Sequence, residues 1–344
     1  MESPTQPVPR AAGASRWSWR SRRLRGWVYQ GLAVAVLGLL VALLLHNTLT
    51  NLRARGIQSG FGFLLDPAGF DIGEALIRYE SMDSYLRAFA VGGLNTLRVA
   101  LVGIVLATLL GALLGVGRFA RNALLRGVCQ VYVEAFRNIP LLLQLLTWYL
   151  LLTEWLPAAD EALRLGDGLL VSKNGLSLPW PIWPPDGSWP TGWSWPVVDG
   201  LSIQGGASLT PEFLALLLGL TLYTAAFIAE VVRAGIAAVP AGQVEAAASL
   251  GLPRGVTLRR VILPQALRVI VPPLTSQYLN LTKNSSLAVA IGYPDVVSIA
   301  NTSLNQTGRA VECIAMIMAV YLGLSLLTAA AMNAYNRRVA IRER

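Results

Sequence analysis

Long apolar runs alternate with short polar ones along the whole chain. The runs occupy residues 27–45, 88–117, 131–156, 209–232, roughly 265–283 and 313–335. Apolar stretches of about 18 residues or more mark helices that cross a bilayer. The pattern therefore predicts an all-α polytopic membrane protein with six spanning helices. The run at 88–117 carries Gly92, Gly93, Gly103, Gly111, Gly115 and Gly117, small residues that let membrane helices approach closely. The third span, 131–156, is read as entered through Glu134, Arg137, Asn138 and Pro140. A shorter apolar piece, 287–300, is interrupted by Gly292 and Pro294. It is too short to span alone and is expected as a short helix on the outer half of the membrane or a re-entrant turn.

The intervening segments differ in charge. Residues 1–26 carry Arg10, Arg16, Arg20, Arg22, Arg23 and Arg25 and read as a basic tail. The run that follows is long for a signal peptide and lacks a small-residue cleavage site, so it is taken as the first span. The 46–87 loop holds four basic and five acidic residues. The 157–208 loop with its edges holds two basic and seven acidic residues, together with Trp180, Trp183, Trp189, Trp193 and Trp195 interleaved with prolines. Such a cluster could form a carbohydrate or peptide platform, but it fits better an interfacial loop with tryptophans at headgroup level. Arg118, Arg121 and Arg126, the 240–264 segment and the 336–344 tail are basic. With six spans every basic segment falls on the cytoplasmic side, both termini included, and the loops 46–87 and 157–208 are periplasmic.

Composition agrees. The chain has 344 residues, 54% hydrophobic and only 14% charged, with net charge +9. A basic excess suits nucleic acid or a membrane surface; the apolar runs decide for the bilayer, and no nucleic-acid partner is expected. The two cysteines, Cys129 and Cys313, lie in or beside apolar segments and read as small buried hydrophobes. His46 is the only histidine. A metal site and a His-based catalytic triad are therefore not expected, and no enzyme-like set of acid, base and nucleophile stands out.

The most unusual polar stretch runs from Glu245 to Pro264, EAAASLGLPRGVTLRRVILP. Residues 243–250 are rich in Ala and Leu and favour helix. Gly251 suits a helix C-terminus, and Pro253 the first turn of a second helix. The reading is helix, tight turn, helix at the membrane surface: a connector, a headgroup contact or a docking surface.

Glu245-Ala246-Ala247, Gly251 and Val261-Ile262-Leu263-Pro264 resemble the EAA loop of ABC-importer permeases: Glu-Ala-Ala, three residues, Gly, nine residues, Ile, one residue, Leu-Pro. Six of the seven fixed positions match, Val261 standing where Ile is usual. The segments 221–230, 239–243, 134–142 and 283–287 are similar to the polar amino-acid uptake group. The segments 25–30 and 57–64 are similar to the Q-type permeases of general L-amino-acid importers. The resemblance runs from about residue 25 to the C-terminus. It implies a type I importer permease fold, a second related permease, two copies of a cytoplasmic ABC ATPase and a periplasmic amino-acid-binding protein. ATP and Mg would bind the ATPase; this chain has no Walker A loop and no cofactor of its own is expected. The ATPase would dock on Glu245, Ala246, Ala247, Ala248 and Gly251, while Arg259 and Arg260 could face lipid phosphates.

Polar groups inside membrane helices are candidate substrate contacts. Asn95, Thr96 and Arg98 on the second span, Tyr223 and Thr224 on the fourth, and Lys283, Asn284, Ser285 and Ser286 after the fifth are named on that ground. Ser, Thr and Asn can instead tie helices together, and Arg98 can snorkel. Glu230 and Arg233 lie near the cytoplasmic end, where an ion pair or gate is the better expectation. A secondary transporter or channel without an ATPase is the rival reading; it would need internal repeats or charges at several helix centres.

Overall fold

One helix, Pro211–Ala237, organises the bundle, and it can do so because its neighbours come unusually close. The computed structural model describes residues 22–54, 56, 59–166, 168–182, 184 and 189–339. The chain divides into two units, Met1–Ser59 and Gly60–Arg344. In the first, the described residues form the long helix α1, Arg22–Ala54. Most of the predicted basic tail, the end of the C-terminal tail, and Ile57, Gln58 and Trp183 lie outside the described residues.

The second unit opens with a 3-10 turn, Phe61–Leu65. Helices α2, Tyr85–Gly117, α3, Ala123–Asn138, and α4, Leu141–Glu154, follow. After the 157–208 region come α5, Pro211–Ala237, and α6, Ala241–Ser249. A single turn, α7, Arg254–Thr257, then runs through a π-helical turn, Leu258–Ile262, into α8, Leu263–Asn284. A 3-10 stretch Ser285–Ile291, α9, Val296–Thr307, and α10, Ala310–Val339, complete the chain.

α5 packs against α2, α3, α4 and α8. A Cβ on Gly111 would lie 2.7 Å from Ile228 Cβ, and one on Gly115 2.7 Å from both the Ala229 carbonyl and Val232 Cβ. Two glycines one helical turn apart thus let the α2 backbone sit directly on α5. The main core gathers Leu145, Leu216, Leu220, Ile228, Ile270 and Leu281 around this contact. A second core, with Phe63, Phe89, Ile299 and Cys313, lies under the loop that precedes α2. Both cysteines are buried and free.

Four described helices are long and apolar enough to cross a membrane, and the number rises to six if two sharply bent helix pairs each make one span. The bends correct the expected element boundaries. The third predicted span is not one helix: α3 and α4 meet at 104°. Pro140 has no N–H and pushes Ile139 into extended backbone (φ −92°, ψ 128°). Buried Gln144 repairs the break, its Nε2 donating to the carbonyls of Phe136 (3.0 Å) and Ile139 (2.9 Å). The fifth helix does not start near residue 265. It is continuous from Arg254, so the second helix of the expected pair is its first turns. The piece after it forms the 3-10 stretch and α9, bent by 49°. Gly292, at φ +78°, ends the 3-10 stretch.

The expectation of an all-α chain needs one addition. The 163–209 region carries eight strands of three or four residues: β1 Leu163–Leu165, β2 Leu169–Ser172, β3 Gly175–Leu178, β4 Trp180–Ile182, β5 Gly192–Ser194, β6 Val197–Asp199, β7 Ser202–Gln204 and β8 Ala207–Leu209. They form an antiparallel sheet ordered β1-β2-β3-β8 and the hairpins β4-β5 and β6-β7. Runs this short have too few alternations to announce themselves in a sequence. Trp180, Trp189, Trp193 and Trp195 are exposed.

Candidate functional site

Two polar regions stand at opposite ends of α2 and α5. Where these helices end, α6 leads into the polar stretch singled out in the sequence. Its C-terminus closes in a double-bonded turn. Leu252 N–H reaches the Ala247 carbonyl (3.1 Å) and Gly251 N–H the Ala248 carbonyl (2.9 Å), with Gly251 at φ +70°. This is the Schellman arrangement, which requires a left-handed residue where Gly251 stands. Ala247 is buried, whereas Glu245, Ala246, Ala248 and Gly251 are exposed. Apart from its two chain neighbours, nothing lies within 4 Å of where a Gly251 Cβ would be. Its backbone conformation, and not crowding within this chain, is what requires glycine.

The motif's Leu-Pro ending has a local consequence. Pro264 cannot donate to the Arg260 carbonyl, and the helix widens just before it: Leu263 N–H bonds the Leu258 carbonyl, five residues back. Arg259 and Arg260 project from this π turn, exposed, beside a surface cavity of about 520 Å³ lined also by Pro253, Gly255 and Val256. Close by, Glu230 of α5 is held between two arginines. Arg233, one turn on, donates to it at 2.5 Å, and Arg118 at the end of α2 donates to its other oxygen. The expected Glu230–Arg233 pair is thus a three-membered cluster that also joins α2 to α5.

At the opposite end, where α2 and α5 begin, a half-buried cluster surrounds Glu74. Arg98 of α2 donates to Glu74 Oε1 and lies over the Phe213 ring, 4.1 Å from its centroid. The Thr210 hydroxyl donates to Glu74 Oε2 (2.7 Å) while accepting from Phe213 N–H (3.1 Å) as the N-cap of α5. Asn95 Nδ2 reaches the carbonyls of Glu74 (2.7 Å) and Pro294 (2.9 Å). Thr96 Oγ1 donates to the Gly92 carbonyl and accepts from Val296 N–H (3.2 Å). Asp295, fully buried, caps α9 through Ser298 N–H (2.8 Å) and accepts from the Tyr321 hydroxyl of α10 (3.3 Å). In the preceding loop, Tyr79 donates to the Phe70 carbonyl (3.0 Å); burial, then the charges of Asp83 and Asp71, raise its pKa above the usual phenol value. A cavity of about 390 Å³ opens beside Glu74 and Thr210, lined also by Gly292, Pro294 and Ser298.

The structure thus brings Asn95, Thr96 and Arg98 into one cluster. Ser285 is buried and Ser286 half-buried, and their hydroxyls bond the carbonyls of Thr282 (2.7 Å) and Lys283 (2.8 Å) one turn back. Lys283 is exposed and Asn284 half-buried. Thr224 is buried inside the core. Tyr223 packs on Phe227 with ring centroids 4.9 Å apart, away from any hydrogen bond described for the Glu74 cluster. Sequence reading missed Glu74, Arg118, Thr210, Asp295 and Tyr321. Asp295 and Thr210 carry a local signal: Asp before an apolar run, and Thr before Pro211 at the first helical position, are N-cap patterns.

The sequence model for binding-protein-dependent transport system inner membrane components matches residues 103–341. YhdX of Escherichia coli (strain K12), provisionally named an amino-acid ABC transporter permease protein, is 47% identical over 95% of this chain and 97% of its own length. The general L-amino acid transport system permease protein AapQ of Rhizobium johnstonii is 42% identical over 95% and 96%. Among solved structures, the crystal structure of an amino acid ABC transporter with histidines superposes with a TM-score of 0.54 at 26% identity, covering 74% of this chain and 95% of that one. The resemblance drawn from the EAA pattern and its flanks is upheld. The chain is a multi-pass membrane protein that belongs to the family of binding-protein-dependent transport system inner membrane components, as the non-catalytic permease subunit of an ABC importer.

Proposed function

We propose that this permease carries L-amino acids, crosses the bacterial inner membrane six times with both termini in the cytoplasm, and receives its ATPase on the 240–264 segment. The cargo class rests on relatives that match nearly the whole chain and are named for amino-acid transport. The orientation rests on the arginine distribution, basic before the first span, after α2, along 240–264 and at the C-terminus. In this arrangement α1, α2, the α3–α4 pair, α5, the α7–α9 pair and α10 are the six spans. The partners are a second related permease, two ATPase copies that hold ATP and Mg, and a periplasmic binding protein.

One observation carries the docking assignment. α6 turns its Glu245, Ala246 and Ala248 side chains outward and ends in a rigid glycine-capped turn, although the bundle itself gains little from exposing them. A small-surfaced helix with fixed ends can seat in a groove without large desolvation or ordering costs. ATP-driven closure of the ATPase pair would then reach the bundle through α7, which continues into α8. The test is disulfide trapping with Ala248→Cys in the assembled transporter, against single cysteines on the ATPase groove. Trapping that changes with bound ATP is expected; an Ala248→Cys protein that traps nothing while transport proceeds refutes the docking site.

A further inference from the structure

Glu74 occupies a site built for a carboxylate, and nothing about the site requires that the carboxylate be its own. Both oxygens are engaged, one by the Arg98 guanidinium and one by the Thr210 hydroxyl. The pair is well shielded, with side-chain exposures of 21% for Arg98 and 10% for Glu74. Arg98 also lies over the Phe213 ring. A guanidinium backed by an aromatic ring, beside a fixed hydroxyl, is an arrangement for charge-assisted, oriented capture of a carboxylate. The receiving groups belong to helix α2 and the cap of α5, whereas Glu74 comes from a segment without regular structure. Beside this carboxylate lies the cavity of about 390 Å³. Asn95, 0% exposed, adds a second observation: its Oδ1 accepts no hydrogen bond among the described residues, while its Nδ2 already serves two carbonyls.

We propose that Arg98 and Thr210 form a carboxylate subsite of the transport path, and that Glu74 fills it as a built-in stand-in when no cargo is there. Cargo displaces Glu74: the α-carboxylate takes the Arg98 and Thr210 contacts, and the α-ammonium supplies the donor that Asn95 Oδ1 lacks. The exchange leaves the arginine paired throughout, so neither state buries an uncompensated charge, which would be strongly unfavourable. The subsite also explains how an empty path stays closed at this end, since the same contacts tie the 66–84 segment to α2 and α5. This inference rests on the amino-acid reading for the identity of the cargo, though not for the carboxylate chemistry.

The experiment is chemical replacement of the missing carboxylate in full-length protein. Glu74→Ala is expected to lower the thermal midpoint. Potassium acetate, compared with potassium chloride at equal ionic strength, should then restore it, and L-alanine should do so where L-alaninamide does not. Wild type, whose subsite Glu74 already fills, should respond to neither salt and to L-alanine only at higher concentration than Glu74→Ala does, and the double variant E74A/R98Q should lose the response. If Glu74→Ala does not accumulate, Glu74→Gln serves, because a neutral amide competes poorly with acetate for a guanidinium. No carboxylate-dependent shift in either variant overturns the proposal, as does a shift that survives E74A/R98Q. Uptake of labelled L-amino acids by the assembled transporter separates the two readings. Uptake without any acetate effect sinks the subsite alone; an acetate effect without uptake sinks the cargo assignment alone.

Discussion

The two ends of the α2–α5 pair are built by opposite rules. Around Gly251 every described hydrogen bond joins residues within six positions of each other, and most side chains face outward. Around Glu74 the bonds join residues 24, 136 and 199 positions apart, and the partners are half-buried or, at Asn95, buried. A surface made from local bonds keeps its shape whether or not the rest of the bundle moves, which suits a part that another protein grips. A cluster made from distant bonds holds only while several elements keep one arrangement, which suits a part that opens and closes. Substitutions at the Glu74 end should therefore harm the fold, and those at the Gly251 end should harm the coupling and leave the fold almost untouched.

The largest effect is expected from Arg98→Met. It removes the cation that compensates Glu74 and leaves a shielded carboxylate with one hydroxyl, for a loss of about 3 kcal/mol. The measurement is the thermal midpoint of purified protein, and a shift within error would show that the pair does not hold this end together. Asn95→Ala comes next. It strips the carbonyls of Glu74 and Pro294 of their shared donor, for about 2 kcal/mol. Added to Arg98→Met it should fall short of the sum, because both changes release the same segment.

The same contrast explains what could be read from the sequence. The helix and turn at 243–253 were legible because their determinants are neighbours: glycine after a helix, proline two residues on. Even the π turn follows from Pro264 once the helix is known to be continuous. Apolar length alone marked the four long helices and the two stretches that prove to be bent pairs, but not the bends. Pro140 was visible and was still read as the start of a helix, because nothing local says whether a proline begins a helix or folds one back through 104°. Arg98 was picked out for its charge in an apolar run. Its partner Glu74 was not, because one acid in a loop with four others carries no mark of burial. Thr210 went unnamed, and its bond to Glu74 needs three dimensions. In the 163–209 region the strands are too short for alternation to rise above the Trp and Pro content.

At the other end the expected stability effects shrink while the functional ones do not. Gly251→Ala places a Cβ on a residue at φ +70°, a strain of about 1 kcal/mol with no clash to add to it. Gly251→Arg should change the fold little more, yet set a bulky charge in the turn proposed to receive the ATPase. A docking loss of only about 1.4 kcal/mol weakens the partner roughly tenfold, so ATP hydrolysis stimulated by the binding protein should fall by at least that factor. Unchanged stimulation with Arg at this position would remove the docking role from the turn.

The smallest change to the fold, and the sharpest test of the contrast, is Glu245→Ala. Glu245 is exposed, its side chain makes no described hydrogen bond or ion pair, and alanine favours helix more than glutamate does. Stability should stay within about 0.5 kcal/mol of wild type. If Glu245 is there to meet a basic group on the ATPase, the variant should bind that partner more weakly, and the difference should narrow as salt is raised, since screening weakens the pair in wild type and has nothing to weaken in the variant. Equal affinity at low salt would make Glu245 a bystander and confine docking to Ala246, Ala248 and the Gly251 turn. A lowered midpoint instead would mean that the Gly251 end, too, takes part in holding the bundle, and the division between a gripped surface and a moving cluster would have to be redrawn.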